Sequence, residues 1–370
     1  MHIALASARF YPHKGGIETH MLEVGRRLVA KGHEVSVFTT TTEPNIPRIS
    51  SFEGMSVIRF PAWPRGIDVH FPKGLGPGYF SGIDLVHVQG YQAGMAPTAC
   101  LCAISKRIPF VLTFHGGGHP QAWRTRLRPL HLRLMAPIFS RAQSLIATAE
   151  FEPAAYSKLL GVSREKFDYV PNGADLPSRV NPTGLCQQKP EELGATKTIL
   201  SIGRLERYKG HQHAIEGIAL LNKRAPGYKL HILGDGPFRD ELHQLARRLN
   251  VSQCVEINSV SRDQIGKLIL SSAAVCLLSD FETHPMAALE AINLGRPVLV
   301  QQNSGLVELV DKGWALGVRS TRGEDVAYAL EEATSGRFSP PFIELPSWDD
   351  CVNQLELIYQ KSIEDCSKVK

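Results

Sequence analysis

The chain alternates short, wholly apolar runs with longer stretches in which apolar residues recur every three or four positions. The run "HIALASARF" near the start reads as a strand buried on both faces, after which Ile17, Met21, Val24 and Leu28 recur at helical spacing. Gly32 is placed to cap that helix at its C-terminus, and "EVSVF" begins the next strand. "IDLVHVQG", "PFVLTFHG" and "AQSLIATA" continue the series. Strands alternating with amphipathic helices predict a parallel sheet with helices on both faces. The pattern lapses over 172–196, where Pro, Gly, Asn and Gln accumulate, which predicts an interdomain linker. A second series follows, with "TILSIGR", "YKLHILGDG", "CVEINSV", "AAVCLLS" and "PVLVQ" as its strands. At the end, "SWDDCVNQLELIYQKSI" places Val352, Leu355 and Tyr359 on one helical face. The expectation is an α/β protein of two doubly wound domains facing a cleft, residues 1–171 and 197–346, with a terminal helix at 347–370. In such open sheets ligands bind beyond the carboxyl ends of the strands.

Length and composition fit this picture. A chain of 370 residues is longer than one core usually serves, and 43% hydrophobic with 21% charged residues describes an ordinary soluble globular protein. The start "MHIALASARFYP" lacks the basic region and long apolar run of a signal peptide. No run approaches the roughly 18 apolar residues of a membrane span. The seven cysteines are odd in number and without CxxC spacing, which predicts a reduced, cytoplasmic protein with neither a disulfide framework nor a zinc site. Charge changes the picture more. The net charge is +5, but residues 1–171 hold 19 Lys and Arg against 11 Asp and Glu, or +8, which leaves −3 for the rest. Between Leu85 and Ala149 there is no acid against seven Lys and Arg, so the first half is expected to meet an anionic partner or to present a solvated basic face.

The candidate chemistry lies at strand exits. In "FETHPMAALEAINLGRPVLV" (Phe281–Val300), Pro285 precedes an Ala-rich helix closed by Gly295. The amides of Met286 and Ala287 then lack intrahelical acceptors, and a helix start of this kind favours anions. Glu282 lies on the loop before the helix and Glu290 about one turn inside it, so the two acids can reach sugar hydroxyls or be plain surface acids. "SIGRLERYKG" sets Gly203, Arg204 and Lys209 beside a strand end, which suits a pyrophosphate or a solvated loop. "LGDGP" puts Gly236 at another such exit. "PHKGGIETH" places Gly15 and Gly16 at the start of the first helix, either for close approach of a phosphate or acceptor or as a tight turn. "TFHGGG" puts His115 at the end of a strand, as a functional or a structural histidine.

In this order, "GGIETHMLEVGRRLVAKGHEV", "VPNGAD", "GRLERYKG", "LGDGP", the Glu-x7-Glu of "ETHPMAALE", "GRPVLV" and "SGLVELV" resemble the family 4 retaining glycosyltransferases over most of the chain. The resemblance implies the GT-B fold, two Rossmann-like domains with the active site between them, a final helix packing back on the first domain, and no catalytic metal. It implies a catalytic set of His115, Arg204, Lys209 and Glu282. Arg204 and Lys209 would bind the donor diphosphate, Glu290 the ribose, Glu282 the transferred sugar, and His115 the sugar or reaction centre. Gly15, Gly16, Gly203, Gly236, His284, Met286 and Ala287 complete the donor-binding set. His284-Pro285 stand where the family usually has Phe-Gly, and Asn258-Ser259 replace its apolar-Gly pair. No cofactor is implied beyond a UDP- or GDP-linked sugar as co-substrate.

Other classes lack their signatures. The chain has no G-x-G-x-x-G, no P-loop and no G-x-S-x-G. Within the fold, a sugar-nucleotide epimerase is the rival, and a non-catalytic sugar-nucleotide-binding module is the rival from another class. The acceptor is expected to be a glycan, lipid-linked or of an envelope polysaccharide, with a soluble secondary metabolite as the alternative; no nucleic acid is expected. "QAWRTRLRPLHLRLMAPIFSR" (residues 121–141) interleaves Arg124, Arg126, Arg128, Arg133 and Arg141 with Trp123, Leu127, Leu130, Leu134 and Ile138, and Pro129 is expected to kink or restart its helix. Such a segment can lie peripherally on the anionic inner leaflet, guide a soluble anion, or face its apolar side to the core.

Overall fold

A computed structural model of the chain describes residues 1–13, 15–64, 70–116, 122–174, 197–282 and 284–368, without the side chains of 122–125 and 263. Most of the expected linker, 175–196, lies outside the described residues. The chain divides into two compact units. The first holds Met1–Gly117, Gln121–Gly173 and Pro346–Lys370, and the second Ala174–Leu345.

In the first unit the strands are β1 (His2–Ala6), β2 (Glu34–Thr41), β3 (Ile49–Phe52), β4 (Met55–Trp63), β5 (Phe71–Pro72), β6 (Leu85–Gln89), β7 (Phe110–Thr113), β8 (Ser144–Ala147) and β9 (Phe167–Tyr169). They form one sheet in the order β3-β4-β2-β1-β6-β7-β8-β9, with β5 beside β4. All pairs are parallel except those that β3 and β5 make with β4. Strands buried on both faces must be apolar throughout, and β6, β7 and β8 are buried at every position. Helices α1 (Gly16–Ala30), α2 (Met95–Lys106), α3 (Ala122–Phe139) and α4 (Glu152–Leu160) belong to the same unit.

The second unit is a sheet of six parallel strands, β10 (Thr198–Ile202), β11 (Lys229–Leu233), β12 (Val255–Asn258), β13 (Ala274–Leu277), β14 (Val298–Gln301) and β15 (Leu316–Val318), in the order β12-β11-β10-β13-β14-β15. Counted within the unit this is 3-2-1-4-5-6, the doubly wound order, and the chain reverses direction across the sheet between β10 and β13. Its helices are α5 (His211–Arg224), α6 (Arg239–Arg248), α7 (Arg262–Ser271), α8 (Met286–Asn293), α9 (Leu306–Asp311) and α10 (Gly323–Thr334). The last helix, α11 (Trp348–Lys368), returns to the first unit. There Trp348, Val352, Leu355 and Tyr359 share a buried core with Met21, Val24 and Leu28 of α1.

Two features differ from the sequence reading. The β3–β4 hairpin was not anticipated; it turns on Glu53 (φ 49°) and Gly54 (φ 78°), and two left-handed residues in succession match the right-handed twist of a two-residue hairpin. Its signal was only an Acid-Gly pair in an otherwise mixed stretch. Secondly, α3 is one helix that runs through Pro129 and Pro137 rather than restarting. Leu132 and Phe139 are fully buried, with Met135, Ala136 and Ile138 packed against the same core, and this packing offsets the lost backbone bonds. No helix among the described residues is long and apolar enough to cross a membrane.

Leu355 is fully buried between α11 and α1. Leu355→Ala is expected to lower the stability of the first unit by about 2–5 kcal/mol, read from urea unfolding. A loss under about 1 kcal/mol would mean that α11 contributes little to that core.

Candidate active site

The second unit brings two of the predicted residues together at the reversal between β10 and β13. Beyond β10 the chain passes Gly203 and Arg204 and makes a short 3₁₀ turn at Arg207–Lys209 before α5. Gly210 (φ 74°) starts that helix, and a Cβ there would sit 1.9 Å from the Leu278 carbonyl oxygen. Only glycine lets the exits of β10 and β13 meet this closely. The contact sets Lys209 Nζ 2.6 Å from Glu282 Oε1, with both side chains mostly buried. Glu282 is fixed from three further directions. Ser279 Oγ donates to its carboxylate at 2.8 Å, its own amide donates to Ser304 Oγ at 2.9 Å, and its carbonyl accepts from the Gly305 amide at 2.9 Å. Arg204 points elsewhere, pairing at 2.9 Å with Glu206 and donating to Tyr208 Oη at 3.2 Å, and it is 43% exposed.

The start of α8 departs from expectation at one amide. Pro285 (φ −79°, ψ 72°) makes an inverse γ-turn, so the Met286 amide donates back to the His284 carbonyl at 2.9 Å. Among the described residues the Ala287 amide has no such backbone acceptor, so one open donor stands where two were expected. Glu290 lies one turn further on, buried, 3.4 Å from Arg262. Burial pushes its carboxyl above the usual range and Arg262 opposes the shift. Burial also lowers His284 to about 4, so this imidazole is neutral. Gly236 (φ 155°) seats the β11 exit on the β10 exit, since a Cβ would lie 2.5 Å from the Leu205 carbonyl oxygen.

Three residues of this cluster were not foreseen. Ser279 and Ser304 hold Glu282, and His211 holds the β10 exit. His211 Nε2 donates to the Arg204 carbonyl at 3.1 Å, so its Nδ1 accepts from Ser201 Oγ at 2.8 Å. The only sequence signal was a histidine immediately after "YKG". Burial lowers its pKa from 6.5 to about 4.

In the first unit His115 follows β7 in a left-handed conformation (φ 52°). Its Nε2 donates to Gln89 Oε1 at the end of β6, and its ring lies edge-on to His20, centroids 4.6 Å apart. His20 Nδ1 in turn lies 2.9 Å from Asn172 Oδ1. Beneath them His87 is fully buried, 2.7 Å from Thr113 Oγ1 and 2.5 Å from Tyr359 Oη. Burial and the neighbouring His20 hold His87 well below its usual range. The residues Gln89, His20 and His87 were not singled out from sequence, because strand pairing across 26 residues brings Gln89 and His87 to the β7 side and α1 brings in His20. Gly15 has extended backbone (φ −173°), which any residue adopts, and a Cβ on Gly16 would meet nothing within 4 Å. Gly16 therefore leaves space open at the start of α1, whereas a Cβ on Gly15 would lie 2.4 Å from Glu18 Oε2. Gly117 and Gly118 lie outside the described residues.

Two mostly parallel, doubly wound sheets with polar residues gathered at their carboxyl ends fit the GT-B architecture, and two family models bear on the class. One, described as Glycosyltransferase Family 4, matches residues 14–177, and the other, Glycosyl transferases group 1, matches residues 187–337. The chain belongs to the glycosyltransferases of the GT-B fold. The D-inositol 3-phosphate glycosyltransferase of Nocardiopsis dassonvillei is 25% identical over 393 residues, which take in 94% of this chain and 89% of that protein. The alpha-monoglucosyldiacylglycerol synthase of Streptococcus pneumoniae is 25% identical over 356 residues, 90% of this chain and 78% of that one. Anabaena HepE, solved in complex with UDP-glucose, superimposes over 100% of both chains with a TM-score of 0.67 at 18% identity.

The buried His211 gives the second unit a pH dependence. An unfolded imidazole takes up its proton near 6.5, whereas the folded one resists until about 4. Between these values the unfolded state binds more protons, so stability is full above about pH 6.5 and declines as pH falls toward 4. The melting temperature is expected to drop over that window, and His211→Gln to flatten the drop by one proton's share. An unchanged slope in the variant would show that His211 carries none of it.

Proposed function

We propose that the chain is a retaining, metal-independent glycosyltransferase that moves a hexosyl group from a UDP- or GDP-linked sugar to an acceptor hydroxyl. The observation that carries this reading is the Lys209–Glu282 pair, 2.6 Å apart and fixed by two serines at the reversal point of the second sheet. Ligands of open α/β sheets bind at that point. A diphosphate competes with Glu282 for Lys209, and a released Glu282 carboxylate can accept from sugar hydroxyls. As the bond from the anomeric carbon to the phosphate oxygen breaks, negative charge grows on the diphosphate. Lys209 and the Ala287 amide at the start of α8 are assigned to stabilise it. Arg204 can join them, since an exposed pair such as Arg204–Glu206 holds weakly. Glu290 is assigned to the ribose hydroxyls, with His284 and Met286 lining the approach. The acceptor oxygen bonds to the anomeric carbon on the face the phosphate leaves, and its proton passes to the leaving phosphate oxygen. His115 is assigned to the reaction centre, and the Gly15-Gly16 loop, with its open space at Gly16, to the acceptor side. HepE's binding of UDP-glucose supports the donor class.

A second reading concerns the acceptor, and α3 favours it. Leu127, Leu130 and Leu134 are 51, 55 and 63% exposed, at positions that share one helical face beside the exposed Arg126 and Arg133. The core is filled by Leu132 and Phe139 instead. Arg128 is not part of the strip, because its Nε and one terminal nitrogen are buried. The side chains of Trp123 and Arg124 lie outside the described residues. An exposed apolar face edged with arginine fits an anionic bilayer surface and supports the reading that the protein lies peripherally on the cytoplasmic leaflet and takes a lipid-linked or anionic glycan acceptor. The names of the relatives permit both a lipid and a soluble phosphorylated acceptor.

Transfer is expected to proceed in excess EDTA, with the donor's anomeric configuration kept in the product as read by proton NMR. Lys209→Ala should cut turnover roughly 100-fold or more in a folded protein. An unchanged rate would remove Lys209 from the diphosphate, and an inverted product or activity that needs added Mg²⁺ would overturn the mechanism.

For the membrane reading, co-sedimentation with phosphatidylglycerol vesicles should weaken as salt is raised and drop when Arg126 and Arg133 become Ser and Leu130 becomes Gln. Equal partitioning onto neutral and anionic vesicles, or onto neither, favours a soluble acceptor.

A further inference from the structure

His115 occupies a backbone conformation that side chains rarely adopt, and the structure shows what holds it there. Helix α4 grips the chain on both sides of it. Before it, the Phe114 ring stacks on the Tyr156 ring, centroids 4.4 Å apart and 15° from parallel. After it, both polar groups of Gly116 (φ 149°) are taken by α4. The Gly116 amide donates to Glu152 Oε1 at 3.2 Å, and Tyr156 Oη donates to the Gly116 carbonyl. The second carboxylate oxygen of Glu152 accepts from the Thr148 amide at 2.6 Å, the Ala149 amide at 3.2 Å and Thr148 Oγ1 at 3.3 Å, which ties the exit of β8 to the same group. Glu152 and Tyr156 are both fully buried. Burial pushes the Tyr156 phenol well above its usual range, so it stays a donor at neutral pH.

A buried carboxylate with four hydrogen bonds is more than a helix of nine residues needs for its own start. Three of those bonds go to the β8 exit and one to the peptide after His115, so the carboxylate locks the carboxyl ends of β7 and β8 in register at the place where a reactive side chain must be aimed. We propose that Glu152 and Tyr156 are positioning residues, which fix the left-handed turn at His115–Gly116 and so aim the His115 imidazole at Gln89 and out over the carboxyl edge of the first sheet. The inference rests on the role given to His115 above. The bonds they make are to the backbone of Gly116 and the ring of Phe114, on either side of His115.

The experiment uses the full chain with histidine labelled at ¹³Cε1, and Tyr156→Phe, Glu152→Gln, His115→Ala and the double variant Tyr156→Phe/His115→Ala. Tyr156→Phe keeps the ring stacked on Phe114 and removes only the bond to the Gly116 carbonyl, so it serves where Glu152→Gln does not fold. Turnover is measured with whichever of UDP-glucose and GDP-mannose the unmodified chain consumes. Tyr156→Phe should shift the His115 resonance and lower kcat roughly 10-fold or more, with KM for the donor little changed. In the His115→Ala background the same substitution should cost nothing further, because residues that act as a unit are not additive. An unmoved His115 resonance, or losses that multiply in the double variant, would overturn the proposal. If His115→Ala alone leaves kcat intact, it is the role of His115 that fails, and the resonance then decides the clamp by itself.

Discussion

The close approach of two strand exits at Gly210 and Leu278 is the constraint on which the donor side of this molecule depends. A parallel sheet delivers β10 and β13 side by side, but their loops leave in opposite directions, and a side chain at position 210 would hold them apart. With glycine there, Lys209 and Glu282, 73 residues apart in sequence, form a mostly buried ion pair. Such a pair is costly to desolvate and holds only when its remaining hydrogen-bonding capacity is met. Ser279 donates to the carboxylate here, Ser304 accepts from the Glu282 backbone amide, and Asn303 ties the same loops by donating to the Ser279 carbonyl at 3.1 Å.

The first unit solves a different problem with the same means. It carries buried polar side chains on strands otherwise made of apolar residues, and those near the carboxyl edge at β6 and β7 are answered from neighbouring elements. His87 on β6 is met by Thr113 on β7 and by Tyr359 on α11, while Glu152 gathers the exits of β7 and β8. Satisfied networks of this kind make a strand end rigid, and rigidity at the carboxyl edge is what a positioned histidine requires. Helix α11 thus supplies both apolar core and one polar partner to a unit from which the whole second series of strands separates it in sequence.

The α/β class and the strands of the doubly wound sheets were legible because a buried parallel strand has to be apolar throughout and a covering helix has to repeat near 3.6 residues. Neither rule reaches the β3–β4 hairpin, whose strands alternate with solvent and whose turn rests on Glu53 in a left-handed conformation. Nor does either rule say which face of α3 is covered. Leucines at 127, 130 and 134 and apolar residues at 132, 135 and 139 both recur at helical spacing, and only packing selects the second set for the core.

Sequence by itself determined the period of each element, the glycines at strand exits and the order of the motifs, because these follow from local backbone preference and one-dimensional spacing. It also named Lys209, Glu282, Glu290 and His115 as residues of interest. Tertiary structure alone decided their partners: that Lys209 faces Glu282 while Arg204 turns to Glu206, that Glu290 meets Arg262, that Pro285 closes one of two expected amides, and that His115 is held by Gln89 and α4. Hydrogen bonds and ion pairs act over a few ångströms between residues that the chain separates by tens of positions, and nothing in a linear spacing fixes which of several nearby charges will meet.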